Sequence, residues 1–341
     1  MGKENSKPTI IDVANLAGVS VGTVSKVING KPVGESYEKK VKNAIKILNY
    51  KVNSYAQGLK ASRTYTVVVI IPNTYHSFFG NVAHHLNVAL TKRNYKMIMY
   101  CTDQNRDLEQ EYIDLAQQNK VDGIIGLTYN PNLIINENVP FISIDRVISP
   151  SIPCVACDNF AGGQLAAEKF AELGCKRVLY LRMGSDLNNE PNKRKAGFEN
   201  GCALKNLDYE VKMLSDEMGD SIYDFVPFIK SHIIDGKPDF DGIFCSTDSL
   251  LHIIKGEIEK MGLKIPQDIQ MIGFDGVKEH GFLEYTCSTI VQPVEAMAEM
   301  CVELLLSDNM KTKPPLVCLP VTFAEGGTTR NKTPSPLPGS R

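Results

Sequence analysis

Short apolar runs alternate with stretches of helical periodicity from residue 65 to about residue 330. Seven of these runs read YTVVVIIP, YKMIMYCT, VDGIIGLT, VPFISID, CKRVLYLRMG, FDGIFCST and IQMIGFDG. Several are apolar at nearly every position, which is typical of parallel strands that are buried on both faces. Strands that alternate with helices predict an α/β fold with doubly wound parallel sheets. The runs are also too numerous for a single sheet of ordinary size.

The first fifty residues show a different pattern, in which apolar residues recur at helical spacing. In the segment TIIDVANLAGVS, Thr9 is a suitable N-cap, Asp12 stands where a capping box requires an acid, and Gly18 ends the helix. Ser20 caps a second short helix, which Asn29 and the following glycine end. Two short helices joined by a glycine turn predict a helix-turn-helix motif.

A third helix is predicted from about Glu35 to Asn49. Its apolar residues recur at positions i, i+3, i+4 and i+7, namely Val41, Ala44, Ile45 and Leu48. They would complete the core of an all-α unit, and the outer face of this helix carries lysines. The next segment is basic, and we interpret it as a linker with one short helix at residues 53–59.

One side of the second predicted helix is apolar, at Val24, Val27 and Ile28. Gly22 and Lys26 point roughly the opposite way, so that side is slim enough to lie in a DNA major groove. Lys26 would then reach base edges or phosphate, while Ser20, Thr23 and the helix N-terminus would bind phosphate. A small helical bundle with a solvated lysine is the alternative.

Charge is distributed unevenly along the chain, whose net charge is −2. Residues 1–63 contain ten Lys and one Arg against four acidic residues, whereas the remaining 278 residues contain 26 basic and 35 acidic side chains. A small basic unit joined to a larger acidic one indicates that the N-terminal unit binds a polyanion such as DNA.

No stretch approaches the roughly 18 to 20 apolar residues that span a bilayer, and MGKENSKPTI lacks the apolar core of a signal peptide. MGKENS fits the loose N-myristoylation pattern, but no other membrane signal accompanies it. The nine cysteines suggest no disulfide framework, and Cys154 and Cys157 would point to opposite faces of a strand. We therefore expect a cytoplasmic protein with core thiols and no membrane partner.

Three segments carry a resemblance to a known family: TIIDVANLAGVSVGTVSKVINGKPV, LNYKVNSYAQGLKASRT and VVVIIPNTYHSFF. They resemble the lactose/galactose repressor family of bacterial transcription regulators, and the similarity extends from Thr9 to about Arg330. The resemblance implies a ligand-responsive repressor that binds a palindromic operator in double-stranded DNA as a homodimer or a tetramer. It implies no cofactor, no metal ion and no catalytic residue.

By this resemblance, Val21, Gly22 and Lys26 read the bases. A hinge helix corresponds to residues 53–59, where Ala56 and Leu59 would enter the minor groove and separate a central base step. The full set of expected DNA contacts is Thr9, Ser20, Val21, Gly22, Thr23, Ser25, Lys26, Asn29, Asn53, Ala56 and Leu59. The family usually has Arg at the position of Lys26, and lysine cannot form the same bidentate contact with guanine.

The resemblance also implies a domain organisation. Residues 1–51 would form the helix-turn-helix headpiece, and residues 52–64 the hinge helix and linker. Residues 65–330 would form an effector-binding and dimerisation core of periplasmic-binding-protein type. Its first lobe would hold about 65–160 and 291–319, and its second lobe about 161–290 and 320–330. The Pro- and Ser-rich tail, residues 331–341, is expected to be disordered.

Polar and aromatic residues follow several predicted strands, at the sheet edge where ligands bind in such folds. Carboxylates and an arginine among aromatic rings suit a neutral polyol, because charged groups bond hydroxyls and a ring covers the apolar face of a sugar. The family's effector contacts correspond to the same set: Phe78, Phe79, Asp145, Arg194, Thr247, Asp275 and Gln292. Thr247 stands where Asn is common, and HSFF replaces the frequent NPFF, so the identity of the sugar stays open.

Each candidate also has a purely structural alternative. Asp145 and Asp275 could cap helices, Phe78 and Phe79 could belong to the core, and Arg194 could form a salt bridge between the lobes. None of these roles requires a ligand at the strand ends.

Other functions compete with a repressor of a carbohydrate-utilisation operon. A sugar-acting enzyme is disfavoured, because the sequence has no G-x-S-x-G, no G-x-x-x-x-G-K-[ST], no G-x-G-x-x-G after a strand and no His pair at metal spacing. A catabolite-control regulator would bind a seryl-phosphorylated carrier protein, yet the matching helix carries Glu295, Glu299 and Glu303, which would repel phosphoserine. A regulator with a purine-type corepressor is a further alternative.

Overall fold

The apolar periodicity of the N-terminal residues folds into three short helices, α1 (Ile10–Ala17), α2 (Val21–Ile28) and α3 (Glu35–Ile47). The predicted capping box of α1 is confirmed: Asp12 N donates to Thr9 Oγ1 (3.4 Å), and Thr9 N donates to the Asp12 carboxylate (2.7 Å). Gly18 ends α1 in the left-handed conformation. The axes of α1 and α2 are bent by 105°, which is the geometry of a helix-turn-helix.

The three helices share one apolar core, whose buried members are Val13, Ala14, Ala17, Val24, Val41 and Ala44. The third helix ends at Ile47, two residues before its predicted end. Among the described residues, no single helix is long and apolar enough to cross a membrane. Only α1 and α2, taken together as a bent pair, have the required length and apolar content.

The computed structural model describes residues 8–50, 63–136, 138–184, 189–215, 219–278, 283–307 and 313–330. The chain divides into two units, Met1–Thr64 and Tyr65–Arg341. The predicted hinge helix at residues 53–59 and the tail at residues 331–341 lie outside the described residues.

Strands and helices alternate along the second unit. Its strands are β1 (Thr66–Ile71), β2 (Lys96–Cys101), β3 (Gly123–Gly126), β4 (Phe141–Ile144), β5 (Cys154–Cys157), β6 (Arg177–Met183), β7 (Asp208–Leu214), β8 (Ile233–Ile234), β9 (Lys237–Pro238), β10 (Gly242–Cys245), β11 (Gln270–Asp275), β12 (Ser288–Val291), β13 (Leu316–Leu319) and β14 (Thr322–Ala324). Its helices are α4 (Ser77–Lys92), α5 (Arg106–Gln118), α6 (Asn159–Glu172), α7 (Lys193–Lys205), α8 (Phe225–Ser231), α9 (Asp248–Lys260) and α10 (Val294–Leu306). All seven predicted apolar runs form strands.

The described strands form two six-stranded sheets and one small antiparallel sheet of β8 and β9. The first sheet has the order β13-β5-β4-β3-β1-β2 and is parallel throughout. The second has the order β14-β12-β11-β10-β6-β7 and is parallel except for β14, which runs antiparallel to β12. Each sheet and its helices form one lobe, so the predicted two-lobe α/β architecture is confirmed.

The described chain passes between the two lobes three times. It leaves the first sheet after β5 and continues into α6, which packs against β12 and β14 of the second lobe. It returns after β12, since α10 packs against α4 and β3 of the first lobe. It crosses again between β13 and β14, so neither lobe consists of one continuous piece of chain.

The edge strands differ from the apolar pattern. β2 is at the edge of the first sheet, and Ile98 and Met99 on it are 40% and 39% exposed despite the apolar sequence of the strand. The apolar pattern does not predict β7, because its sequence DYEVKML mixes polar and apolar residues. Cys154 and Cys157 are buried on β5, and burial raises the pKa of both thiols.

Candidate functional site

The exposed face of α2 is slim, as the sequence predicts. Val24 is fully buried, whereas Gly22 and Lys26 face solvent and Val21 is 40% exposed. Thr23 N donates a hydrogen bond to Ser20 Oγ (3.1 Å) at the helix N-terminus. The backbone N–H groups there carry partial positive charge, which favours a phosphate.

The outer face of α3 is less basic than its lysines alone indicate. Lys39 pairs with Glu35 (2.8 Å), and Lys42 pairs with Glu38 (2.6 Å). Exposed pairs of this kind add little stability, but they offset two of the positive charges on this helix.

The structure describes only some of the other predicted DNA contacts. Thr9 is exposed at the start of α1, and Asn29 Nδ2 donates to Ser25 O (2.7 Å) at the end of α2. The predicted hinge contacts Asn53, Ala56 and Leu59 lie outside the described residues.

A cavity of about 310 Å³ lies between the two lobes of the second unit, beyond the carboxyl ends of strands from both sheets. Six of the seven predicted effector residues line it: Phe78, Phe79, Asp145, Arg194, Thr247 and Asp275. The cavity has the size and the mixed apolar and polar lining of a small-molecule site.

Aromatic rings form the wall on the first lobe. Phe78 and Phe79, in the first turn of α4, have ring centroids 5.8 Å apart in an edge-to-face arrangement. Phe78 also packs in the hydrophobic core, so this residue serves both the core and the cavity wall. The His76 ring lies 4.8 Å from that of Phe79, and burial, followed by the charge of Arg194, lowers the pKa of His76.

Asp145 follows β4 in a left-handed conformation, with φ of +60°, which is strained for most residues other than glycine. Its carboxyl is buried, and burial raises the pKa of Asp145 to about 6 although the charge of Arg194 opposes the rise. Its backbone carbonyl accepts a hydrogen bond from Glu190 N (2.9 Å), which joins the two lobes. Strain and a raised pKa are both features of binding sites.

Arg194 lies at the start of α7 and is 5% exposed. Its Nε donates to Asn159 Oδ1 (2.7 Å), its Nη1 donates to Ser246 O (2.6 Å), and its guanidinium stacks 3.6 Å from the ring centre of Phe274. Its ion pair, with Asp275 (3.9 Å), lies within the second lobe rather than between the lobes. These contacts hold the guanidinium in one orientation at the cavity.

Two glycines allow α7 to come close enough to place Arg194 there. A methyl group on Gly163 of α6 would overlap the Arg194 carbonyl, and one on Gly197 of α7 would overlap the Phe160 carbonyl. The two helices therefore pack backbone against backbone.

Asp275 ends β11 with φ of +123°. Its Oδ1 accepts a hydrogen bond from Gln292 Nε2 (2.8 Å), so Gln292 contacts Asp275 rather than the cavity. Burial raises the pKa of Asp275, and the charge of Arg194 opposes this rise.

Helix capping accounts for other polar residues at the strand ends. Thr247 Oγ1 accepts from Leu250 N (3.1 Å) and caps α9 while its residue lines the cavity. Asp158 accepts from Ala161 N (2.9 Å) and caps α6. Asp145 makes no such cap bond among the described residues, and its side chain lines the cavity instead.

Cavity residues outside the predicted set include His76, Arg146 and Arg182. Arg146 Nη1 donates to Asn130 O (2.5 Å), and the buried carboxylate of Glu109 accepts from Asn130 N (2.7 Å). These two charged side chains hold the loop after β3 that lines the cavity. The sequence signal for Arg146 and Arg182 is a charged residue at the carboxyl end of an apolar strand, and His76 stands in the HSFF motif.

The cleft contains hydrogen-bond acceptors that lack donors. Asp145 Oδ1 and Asp275 Oδ2 are buried acceptors without a hydrogen-bond partner within the described part of the chain; buried His76 Nδ1, which donates or accepts according to its tautomer, also has no partner there. A buried acceptor without a donor costs free energy. A ligand that carries several donors, such as the hydroxyls of a polyol, would complete this site, and the described residues hold no group of side chains suited to a metal ion.

Basic residues near the end of α4 offset part of the negative charge of α10. Glu299 pairs with Lys92 (3.0 Å), the last residue of α4, and with Arg93 (2.7 Å), which follows that helix; these hydrogen bonds lower the pKa of Glu299. The expectation that the glutamates of α10 repel phosphoserine is weaker for this reason.

Comparison with known proteins agrees with both parts of this architecture. Residues 9–53 match "Bacterial regulatory proteins, lacI family", and residues 167–329 match "Periplasmic binding protein-like domain". The chain is 34% identical over 327 residues to the sucrose operon repressor of Streptococcus mutans serotype c, with 93% of this chain and 98% of that protein covered. The chain belongs to the lacI family of bacterial regulatory proteins.

A second lacI-family relative is the ribose operon repressor of Bacillus subtilis, 30% identical over 331 residues, with 95% of this chain and 99% of that protein covered. The fold is similar to that of the lac repressor dimer bound to operator and an anti-inducer, with a TM-score of 0.78 at 20% identity, covering 95% of this chain and 99% of that one. The predicted lacI-type family and fold are confirmed.

Proposed function

We propose that this lacI-family protein is a repressor of a carbohydrate-utilisation operon that binds a palindromic operator as a homodimer and a small sugar in the cleft. The observation that carries the proposal is the set of buried acceptors without donors, which a polyol would satisfy. The relatives named sucrose and ribose operon repressors support the same class of ligand.

Each cleft residue then has a role toward the sugar. Asp145 and Asp275 accept hydrogen bonds from hydroxyls, and Arg194 donates to them, because charge-assisted hydrogen bonds are the stronger ones. Phe78 and Phe79 cover the apolar face of the ring. Gln292 acts indirectly, through its hydrogen bond to Asp275. Thr247 also acts indirectly, through its cap bond at the start of α9.

The same proposal assigns DNA recognition to the headpiece. Lys26, beside the bare backbone of Gly22, reaches the base edges in the major groove, and Ser20 and Thr23 bind phosphate. One such headpiece makes too few base contacts for strong specificity, so two of them act on two half-sites. The protein works where operator DNA lies, in the bacterial cytoplasm, as a regulator rather than an enzyme.

Sugar and operator communicate through the lobes. A sugar that bonds Asp145 in the first lobe and Arg194 in the second favours the arrangement in which the two walls are close. Operator affinity changes only as far as the sugar prefers one arrangement over the other.

Calorimetric titration with sucrose, fructose, ribose and guanine tests the ligand class. We expect one of the sugars to bind and to change operator affinity. Arg194→Ala and Asp275→Asn should weaken that binding by roughly 2 to 4 kcal/mol, the usual cost of removing one hydrogen-bonded buried charge, without changing operator affinity in the absence of sugar.

Asp158→Asn is the matched control, because Asp158 follows a strand but caps α6. This variant should bind the sugar as the parent does. If guanine binds and no sugar does, the effector is a purine corepressor rather than a sugar. If sugar affinity is unchanged in both cleft variants, the effector site lies elsewhere.

A further inference from the structure

Asp248 is the first residue of α9, yet its side chain does not belong to the cavity lining among the described residues. It is 2% exposed. Its Oδ2 accepts a hydrogen bond from Val277 N (2.8 Å), and its Oδ1 accepts one from Thr289 Oγ1 (2.7 Å). Gly276 N donates to Thr289 Oγ1 (3.2 Å) and also to the Asp248 carboxylate. The proposed function leaves this buried carboxylate unused.

These hydrogen bonds fix the backbone that carries Asp275. Gly276 and Val277 are the two residues after Asp275, whose φ of +123° is unfavourable for an aspartate. Thr289 belongs to β12, which pairs with β11. The Asp248 carboxylate therefore ties the segments that follow β10 and β11 to Thr289 of β12. Gly273 leaves room for it, since a methyl group there would overlap Asp248 Oδ1.

We propose that Asp248 is a positioning residue of the effector site and determines how well that site binds its sugar. It holds the Asp275–Val277 backbone in its strained conformation, so that Asp275 presents Oδ2 to the ligand while Gln292 occupies Oδ1. This inference rests on the proposed function, because it takes Asp275 as an effector contact.

The position of Asp248 near Asp275 also has an electrostatic consequence. The charged groups around Asp275 are Arg194, Asp145 and Asp248, and the titratable groups around Asp248 also include Cys245, Cys287 and Tyr285. Burial raises the pKa of Asp275, and Asp248 adds to the rise because two buried carboxylates repel each other. Loss of the Asp248 charge should therefore lower the pKa of Asp275.

Two variants of the full-length protein separate geometry from charge. Asp248→Asn keeps the shape of the side chain but removes its charge and one acceptor for the loop N–H groups. Thr289→Val removes the hydroxyl that bonds Asp248 and keeps both carboxylates. The best-binding sugar of the panel above is titrated against each variant from about pH 5 to about pH 8, the range of raised carboxyl pKa values.

Both variants should bind the sugar about ten- to hundredfold more weakly, as is usual when a group that orients a ligand-binding residue is removed, with operator affinity unchanged. In the parent, sugar affinity should fall as the pH drops through the raised pKa values of Asp145 and Asp275, because a protonated carboxyl is a poorer acceptor. In Asp248→Asn the part of this fall that belongs to Asp275 should occur at lower pH. Thr289→Val should give a smaller shift in the same direction, because it removes a hydrogen bond that lowers the pKa of Asp248 and so leaves Asp248 less often charged.

Asp241→Asn is the control in the second lobe, because the Asp241 carboxylate also accepts backbone N–H groups, those of Lys176 and Arg177, but at the start of β10. Its pH profile should match that of the parent, because Asp241 does not line the cavity and is not among the groups around Asp275. An unchanged sugar affinity or an unshifted pH profile in Asp248→Asn would overturn the positioning role.

A readout without ligand separates this inference from the proposed function. Infrared spectroscopy of the ligand-free protein detects the carbonyl stretch of protonated Asp275, identified by its loss in Asp275→Asn. In Asp248→Asn this band should titrate at lower pH than in the parent. If no sugar of the panel binds the parent, the proposed function fails. If the band titrates at the same pH in Asp248→Asn as in the parent, the inference about Asp248 fails as well.

Discussion

Lys26 stands on the exposed face of α2, one turn after Gly22, so the proposed base recognition by this helix would depend on one long side chain. We predict that Lys26→Ala lowers the preference for operator over random DNA by about 1 to 3 kcal/mol per half-site. Fluorescence anisotropy with competing DNA measures this difference. Lys31→Ala, just beyond the end of α2, is the control and should weaken binding to both DNAs alike. Discrimination that survives Lys26→Ala would contradict the orientation of the helix in the groove.

Asp145 illustrates a conflict between stability and binding within one residue. Its pKa rises from 3.8 to about 6 on folding, so the folded state holds the proton more tightly. The resulting stability is present below about pH 4 and is lost as the pH rises through about 6, and about two pKa units correspond to roughly 3 kcal/mol. Asp145→Asn should therefore raise the free energy of unfolding of the ligand-free protein at pH 7 by up to that amount.

The same variant should bind the sugar more weakly, because it loses a charged acceptor. Denaturant unfolding at neutral pH and again near pH 4 checks the sign, since the gain should shrink as Asp145 of the parent becomes protonated. A larger gain at acid pH would mean that the carboxyl is ionised at low cost in the folded protein.

At the scale of elements, the contact between α6 and α7 decides where Arg194 lies. Gly197→Ala would force the two backbones apart, and overpacking of this kind costs about 1 to 3 kcal/mol or more. We expect a lower melting temperature and a sugar affinity reduced along with it. Gly256→Ala in α9 is the control, because a methyl group there meets no atom within 4 Å. Gly256→Ala should stabilise the protein slightly. Equal changes of melting temperature in the two variants would argue against close packing at Gly197.

The elements that the sequence predicts best are those set by local rules. Thr9, Asp12 and Gly18 cap α1 through neighbours within a few residues, and the buried strands are apolar at nearly every position. The apolar pattern misses β7, because an edge strand need not be apolar on both faces. The exposure of Ile98 on β2 also depends on the order of strands in the sheet, which the apolar pattern does not contain.

The site was predictable as a set of residues but not as an arrangement. Strand ends and a family resemblance point to Asp145, Arg194 and Asp275, and all three line the cavity. The contacts of Arg194 come from three separate segments, around residues 159, 246 and 274. The φ angle of Asp275 and the bond that turns Gln292 away from the cavity likewise arise only from tertiary packing.

At the scale of the whole molecule, the charge divides between the basic and acidic parts of the chain. Operator affinity should fall by roughly 0.9 log units per phosphate contact for each log unit of salt, while affinity for a neutral sugar should hardly change. Titrations of both ligands in the same series of KCl concentrations measure the two slopes. Equal slopes would indicate a charged effector.

The three passages of the chain between the lobes constrain how the protein can be made. The first sheet is covered by α10 only when residues 294–306 exist, and it gains β13 only from residues 316–319. A ribosome delivers these segments long after β1–β5, so an apolar surface of the nascent chain stays open until they have emerged. A ribosome stalled before residue 294 should therefore display a chaperone client rather than a finished lobe. The core of the first lobe can close only after residues 294–319 have left the ribosome.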